Sequence, residues 1–453
     1  MEANRHRDLS GAARVRAARA WLAIAAVIAS ASTGVALAQV ALPPVQVPGV
    51  PSVDLPVDVN RTLSDTTDRL DPNRLTDARL LKVRQLIRAH RDVLEADPHG
   101  AAIVRSELLA FSPSAAALEH ARAAGFSVAR ERALAGLDAR IVVLRAPAGM
   151  STQRALKKLR SLDPQGAYDF NHVYTDSGAV QPGAAPAVDG NPAEGSAARV
   201  KIGLIDGGVD LAHPVFHDAS IAVHGCSGRP VVSAHGTAVA SLMVGRSEKF
   251  HGAAPGAALY AADVYCGVPT GGAVDAVADA LAWLARERVP IINVSLVGPA
   301  NVSLENIVRI VVARGHLIVA AVGNDGPAAP ALYPAAYPGV VGVTAIDARQ
   351  RVLLEAARGP QVDFAAPGAD IAAASVTEAY AAVRGTSFAS PIVAGLLVAE
   401  IHEPDPAAAE RALATLARLA IDRGAPGVDP TYGHGVVGDA LRIELATTAL
   451  LGK

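Results

Sequence analysis

The chain has 453 residues and a formal net charge of −2, with 51% apolar and 19% charged residues. That apolar content excludes a disordered, solvated chain, and the near-neutral balance excludes the Lys/Arg surplus of a nucleic-acid binder. Two cysteines do not make a disulfide scaffold, so each folded part must rest on its own apolar core.

Residues 1–38 read as an export signal. Arg5, Arg7, Arg14, Arg16 and Arg19 lead into an apolar run over 21–38 that ends in Ala36-Leu37-Ala38, a signal-peptidase pattern. Ser30, Ser32, Thr33 and Gly34 dilute this run, which argues against a permanent membrane span. The reading is an exported protein, periplasmic or secreted, with no stable membrane association once the signal is cut. Residues 39–60 carry Pro43, Pro44, Pro48, Pro51 and Pro56, which predict an extended tether. A helical pattern follows through Leu80, Leu81, Val83, Leu86, Ile87 and Leu94.

Over 101–174 the pattern is strand (103–111), helix (114–125), strand (126–130), strand (139–144), helix (151–162) and strand (167–173). Ser112 or Ser114 and Ser151 or Thr152 are the expected helix caps, and Gly125 the stop. This order predicts a small α+β sandwich of the ferredoxin-like kind, without a cluster of catalytic residue types. Residues 175–199, rich in Gly, Ala, Pro and Asp, predict an exposed linker open to proteolysis.

From 200 onward, apolar strands (200–205, 259–264, 291–296, 317–321, 340–344) alternate with helices (235–244, 273–288, 303–314). Strands that are apolar throughout suit a parallel sheet covered by helices on both faces. The region 200–453 is therefore expected to form one large α/β domain, acting as a monomer.

The chemistry gathers where these elements end. Strand 200–205 runs into Asp206-Gly207-Gly208, and parallel sheets build their sites outside the carboxyl ends of strands. His235-Gly236-Thr237 opens an apolar helix; Gly236 permits close backbone approach and Thr237 suits a cap. Gly385-Thr386-Ser387-Phe388-Ala389-Ser390-Pro391 starts another, whose first-turn N–H groups lack intrahelical acceptors. Ser387 is favoured over Ser390 because the Gly385-Thr386 approach suits a sharp, exposed turn. Asn324, in Ala321-Val322-Gly323-Asn324, follows strand 317–321, where its amide is placed to donate to an oxyanion. Singly these are a turn Asp, a surface His, a capping Ser and a turn Asn. Together they supply a nucleophile, a base and an acid that orients the base.

That order and these motifs resemble the subtilisin-like serine proteases, the S8 peptidases, over about residues 200–400. Ile205-Asp206-Gly207-Gly208-Val209-Asp210 with His213-Pro214 resembles the family's Asp motif, and His235-Gly236-Thr237-Ala238-Val239-Ala240 its His motif. The segment 385–391 resembles its Ser motif and Gly323-Asn324 its oxyanion site. The resemblance implies an endopeptidase acting on peptide or protein substrates. Ser387 would be the nucleophile, His235 the base and acid, and Asp206 the orienter, with Asn324 and the Ser387 N–H as oxyanion hole. It also implies that Ser295-Leu296-Val297-Gly298 pairs with substrate backbone, with Ala321-Val322-Gly323 on the opposite wall of the S1 pocket. Residues 61–174, core 101–174, would be a propeptide that occupies the cleft as an intramolecular inhibitor until cleavage within 175–199.

Three departures are visible. Gly207 stands where the family has Thr or Ser, Ala238 where a second His is common, and Val297 where Gly is more usual. Val297 is expected to narrow S1 and favour small or slender apolar residues. Cys226 and Cys266 fall near one sheet edge, and export permits a disulfide between them. His213 and His217 have Pro214 between them, and no His-Glu-x-x-His or EF-hand pattern occurs, so no catalytic metal and no required cofactor are expected. Structural calcium stays open, with no segment assigned to it. The alternative to an enzyme is a catalytically silent relative that binds peptides on the same fold.

Overall fold

Leucine and valine at helical spacing after residue 79 form the inner face of α1 (Pro72–Ala89), where Val83 is buried with Leu94, Val173 and Ala273. The structure, a computed structural model, describes residues 72–181, 200–248 and 250–443. The expected signal, the tether and residues 182–199 of the expected linker lie outside the described residues. Leu94, which falls in the same spacing, opens β1 (Leu94–Ala96) instead. A turn intervenes, with Leu94 N–H bonded to the His90 carbonyl, and β1 then pairs with the next strand.

The expected strand and helix order follows as β2 (Ala102–Phe111), α2 (Ala115–Ala123), β3 (Ser127–Leu134), β4 (Ala139–Arg145), α3 (Thr152–Leu162) and β5 (Ala167–His172). The sheet order is β3-β4-β2-β5, every pair antiparallel, with β1 added at the start of β2. Ser114 and Ser151 cap the two helices by accepting from the N–H of Ala117 and Arg154. Alternation along the strands gives the sheet two apolar faces. Leu108, Val142 and Leu144 meet Leu118, Leu156 and Leu159 of the helices, while Leu109, Ile141 and Val143 join the core of the following domain.

The chain continues through β6 (Thr175–Asp176) and β7 (Ala179–Gln181). The large domain contains β8 (Lys201–Asp206), β9 (Ile221–His224), α4 (Ala234–Val244), β10 (Ala258–Asp263), α5 (Val274–Arg286), β11 (Ile291–Val294), β12 (Leu296–Val297) and α6 (Val302–Ala313). It ends with β13 (Leu317–Ala321), β14 (Val340–Ile346), β15 (Phe364–Pro367), β16 (Ile371–Ala374), β17 (Tyr380–Arg384), α7 (Thr386–Leu397) and α8 (Pro406–Leu419). Seven parallel strands, β15-β14-β13-β11-β8-β10-β9, form its sheet between two helical layers. The edge strands β9 and β15 escaped the sequence reading: each is four residues long, too short for a periodic signal. The expected strand 291–296 breaks at Ser295, so that β12 leaves the sheet.

Residues 175–181 are not the exposed linker their composition predicts. β6 pairs antiparallel with β12, and β7 with β17, and Ser177 between them is buried. Both partner strands lie more than a hundred residues further along, so no local pattern could show this pairing.

The ferredoxin-like sheet sits on α5 and α6 through polar contacts as well as apolar ones. Arg130 joins Glu107 to Asp275 of α5 (2.7 Å to each), and Asn171 Nδ2 donates to both carboxylates. Asp169 accepts from the Val302 N–H at the start of α6 (2.8 Å), an acid at a helix N-terminus.

Candidate active site

Strand β8 carries Asp206 to the carboxyl edge of the sheet, where it is fully buried. His235 is the second residue of α4, and its Nδ1 lies 2.9 and 3.0 Å from the two Asp206 oxygens. Gly236 makes this approach feasible: a Cβ there would lie 2.2 Å from the Gly207 carbonyl oxygen. The cap of α4 is Ser233, whose Oγ accepts from the Gly236 N–H. Thr237, a plausible cap by sequence, instead accepts from the Asp210 N–H. Ser233 also explains one departure, since a side chain at Gly207 would strike its Cβ at 2.5 Å.

Burial pushes the Asp206 carboxyl up, against the pull of the His235 ring and the Gly207 N–H. Burial alone would lower His235, but the charge and hydrogen bond of Asp206, with Asp176 adding to them, hold its pKa above the ordinary range. His235 Nε2 is buried and has no hydrogen-bond partner among the described residues.

Ser387 is the second residue of α7, after Gly385 at the cap position. Its Oγ lies 2.6 Å from Ser177 Oγ and donates to the Ser295 carbonyl at 3.3 Å. The His235 ring stands 5.2 Å from that of Phe388, the next residue. The Asp–His pair is thus assembled, while the Ser387 hydroxyl is bonded to Ser177 and Ser295 and not to the imidazole. Ser390 is buried one helical turn on, with its Oγ 3.2 Å from Ser295 Oγ.

Asn324 follows β13 and accepts the Thr386 N–H on its Oδ1 (3.1 Å). That bond turns its amide NH₂ the other way. A Cβ built on Gly385 would lie 2.9 Å from Asn324 Nδ2, 2.8 Å from the Ser177 carbonyl oxygen and 2.9 Å from Gly178 Cα. The amide and the Ser177–Gly178 peptide therefore meet at the start of α7. Leu296 and Val297 lie in β12, and Gly298 pairs with Tyr333. Ala321, Val322 and Gly323 are placed at the end of β13, with the Gly323 N–H on Thr386 Oγ1. Val297, Asn324, Ser177 and Gly178 line a cavity of about 410 Å³ that α1 roofs with Arg79, Lys82, Val83 and Leu86. Arg79 forms an ion pair with Asp325, the neighbour of Asn324. Sequence reasoning missed Tyr174, Ser177 and α1 here, because only the tertiary arrangement brings them to the cleft.

Cys226 and Cys266 are joined by a disulfide with a Cα–Cα distance of 5.2 Å. With Asp263 they form the single cluster of three metal-ligand side chains among the described residues, and both thiols are consumed in the bond. His213 uses both ring nitrogens, on the Ala379 carbonyl and the Val215 N–H.

The model of the Subtilase family, peptidase S8, matches residues 197–435. Subtilisin E of Bacillus subtilis (strain 168) is 31% identical over 265 residues, 55% of this chain and 68% of that protein. The subtilisin of Bacillus pumilus is 34% identical over 221 residues, 47% of this chain and 79% of that protein. Among solved structures, fervidolysin from Fervidobacterium pennivorans, a keratinolytic enzyme related to subtilisin, shares the fold at TM-score 0.61 and 19% identity. That match covers 76% of this chain and 62% of fervidolysin, less than two thirds of its length. The chain belongs to the subtilase family, a family of serine proteases.

Proposed function

We propose that the protein is an exported serine endopeptidase made as a preproprotein, with Ser387 as nucleophile, His235 as general base and acid, and Asp206 as orienter. Asn324 and the Ser387 N–H form the oxyanion hole in this reading. Residues 61–174 act as the inhibitory propeptide, and cleavage falls within 175–199. The observation that carries the proposal is the buried Asp206–His235 pair: with Nδ1 committed to a carboxylate, Nε2 is the proton acceptor, unpaired among the described residues and at the helix end that bears Ser387. The cleft accepts extended peptide backbone along β12 and β17 in this reading, as it does β6 and β7. Val297 at the cavity wall supports a preference for small residues before the cut. No cofactor is required for this chemistry.

The silent-relative reading has one observation in its favour, the Ser387 hydroxyl bonded to Ser177 and Ser295. Labelling of the purified secreted protein with a fluorophosphonate probe, alongside Ser387→Ala, separates the two. Labelling of the wild type alone, on a band of catalytic-domain size, supports the enzyme with its propeptide removed. No labelling after the N-terminal domain has been trimmed in trans supports the silent binder.

A further inference from the structure

We infer that the chain carries its own reference substrate at residues 174–178. Cleavage falls between Ser177 and Gly178, and the site selects peptides with tyrosine four residues before the cut, a small residue before it and glycine after it. This rests on the protease reading above and assigns its substrate class.

The bond is located by pairing on both sides. Residues 173–176 lie between β12 and the turn that precedes α5: Val173 bridges Ala273, the Tyr174 N–H donates to the Gly272 carbonyl (2.9 Å), and β6 pairs with β12. Downstream, Ala179 stands opposite Arg384, three residues before Ser387. Only Ser177 and Gly178 remain between the two pairings, and they cross the start of α7. There the Ser177 carbonyl oxygen and Asn324 Nδ2 both fall within 3 Å of the space beside Gly385 that a Cβ would fill. Ser177 is therefore the residue whose carbonyl stands beside Asn324 Nδ2 at the start of α7, and the proposal makes it the carbonyl that the oxyanion donors would receive. Ser387 Oγ would add to this carbonyl carbon as His235 Nε2 takes its proton. The C–N bond to Gly178 breaks, the Gly178 amine leaves with that proton, and water then hydrolyses the Ser177 ester to a carboxylate.

Two contacts give the sequence preference. Tyr174 is fully buried and its phenol donates to the Pro299 carbonyl. Its ring lies so close over Gly298 that a Cβ there would sit 2.7 Å from three ring atoms. A pocket that closes on an aromatic ring and ends in a backbone acceptor distinguishes Tyr from Phe, because Phe leaves that acceptor unpaired. After the cut, a Cβ on Gly178 would come 2.5 Å from the ring of Phe388. Phe388 is fully buried, so the ring has nowhere to retreat.

The test uses the full-length precursor and the matured enzyme. Mass analysis of the first fragments released from the precursor should give one ending at Ser177 and one starting at Gly178. An octapeptide of the sequence 174–181 should be cut at the Ser–Gly bond. Phe in place of Tyr should lower kcat/KM about tenfold or more, and Val in place of Gly should abolish cleavage. First fragments ending elsewhere, or equal cleavage of the three peptides, overturn the inference. Fluorophosphonate labelling of Ser387 in the same samples tells the failures apart: a labelled enzyme with other cleavage points keeps the protease and loses this specificity, whereas an unlabelled one loses both.

Discussion

The hydroxyl oxygens of Ser177 and Ser387 lie 2.6 Å apart, while Nε2 of His235 has no polar partner among the described residues. The residue before the proposed cut therefore competes with the imidazole for the nucleophile. Ser177→Ala keeps the side chain small and removes the competitor. Self-cleavage of the precursor should accelerate severalfold, read as the half-time for loss of the full-length band. A slower variant would show that the Ser177 hydroxyl assists the cut.

Asn324 is oriented by the bond its Oδ1 accepts from Thr386, which commits the amide NH₂ to the Ser177 carbonyl side. Asn324→Asp preserves the acceptor and removes the donor. With Asn324 as the proposed oxyanion donor, a fall of about 10²–10³ in kcat is expected with KM changed far less, since such a contact strengthens as the oxyanion forms. Peptide kinetics of matured wild type and variant provide the check.

Asp176 contributes to the raised pKa of His235, behind burial, which opposes it, and Asp206. As the proposed base, His235 must be neutral, so precursor cleavage should decline as pH falls through that raised value. Asp176→Asn removes a negative charge that favours imidazolium and should move the acid limb of self-processing to lower pH. The mature enzyme, freed of residue 176, should likewise keep activity to lower pH than its precursor. Rate–pH profiles of the two precursors, without movement of the acid limb, would contradict this.

Asp275 is held below the usual carboxylate range: burial raises its pKa, but the Arg130 hydrogen bond and charge, with Asn171, outweigh that. A depressed carboxylate contributes stability that is fully present above its unfolded value near 4 and is lost as pH falls through the lower folded value. The grip of the N-terminal domain through this pair should thus persist at pH 5. Asp275→Asn should weaken inhibition by the isolated wild-type N-terminal fragment by about 2 kcal/mol, discounted from a fully buried pair because Arg130 is about a third exposed. The inhibition constant against matured wild-type and variant enzyme measures it.

The sequence was most readable where a strand or helix ends in chemistry. Asp206, His235, Asn324 and Ser387 each stand at or just beyond the end of a continuous apolar run, so both placement and residue type were visible. The ferredoxin-like order was readable for the same reason, with Ser114 and Ser151 marking the helix starts. Residues 174–181 were opaque because Thr, Asp, Ser, Gly and Ala form no pattern, and their strands exist only against Leu296–Val297 and Tyr380–Arg384. The place of α1 was equally hidden: its Leu and Val spacing announces a helix but not the Arg79–Asp325 contact that sets it over the cleft.

β6 and β7 are anchored to different partners on either side of one peptide bond. Hydrolysis of that bond, as proposed, would remove no backbone pairing from either half. The severed ends would stay docked, with the helix across the cleft and the Arg130–Asp275 contact still holding the departing piece. A denaturing gel would then register two chains while the cleft is still plugged. Covalent maturity and the onset of turnover would be separate clocks, the second set by dissociation.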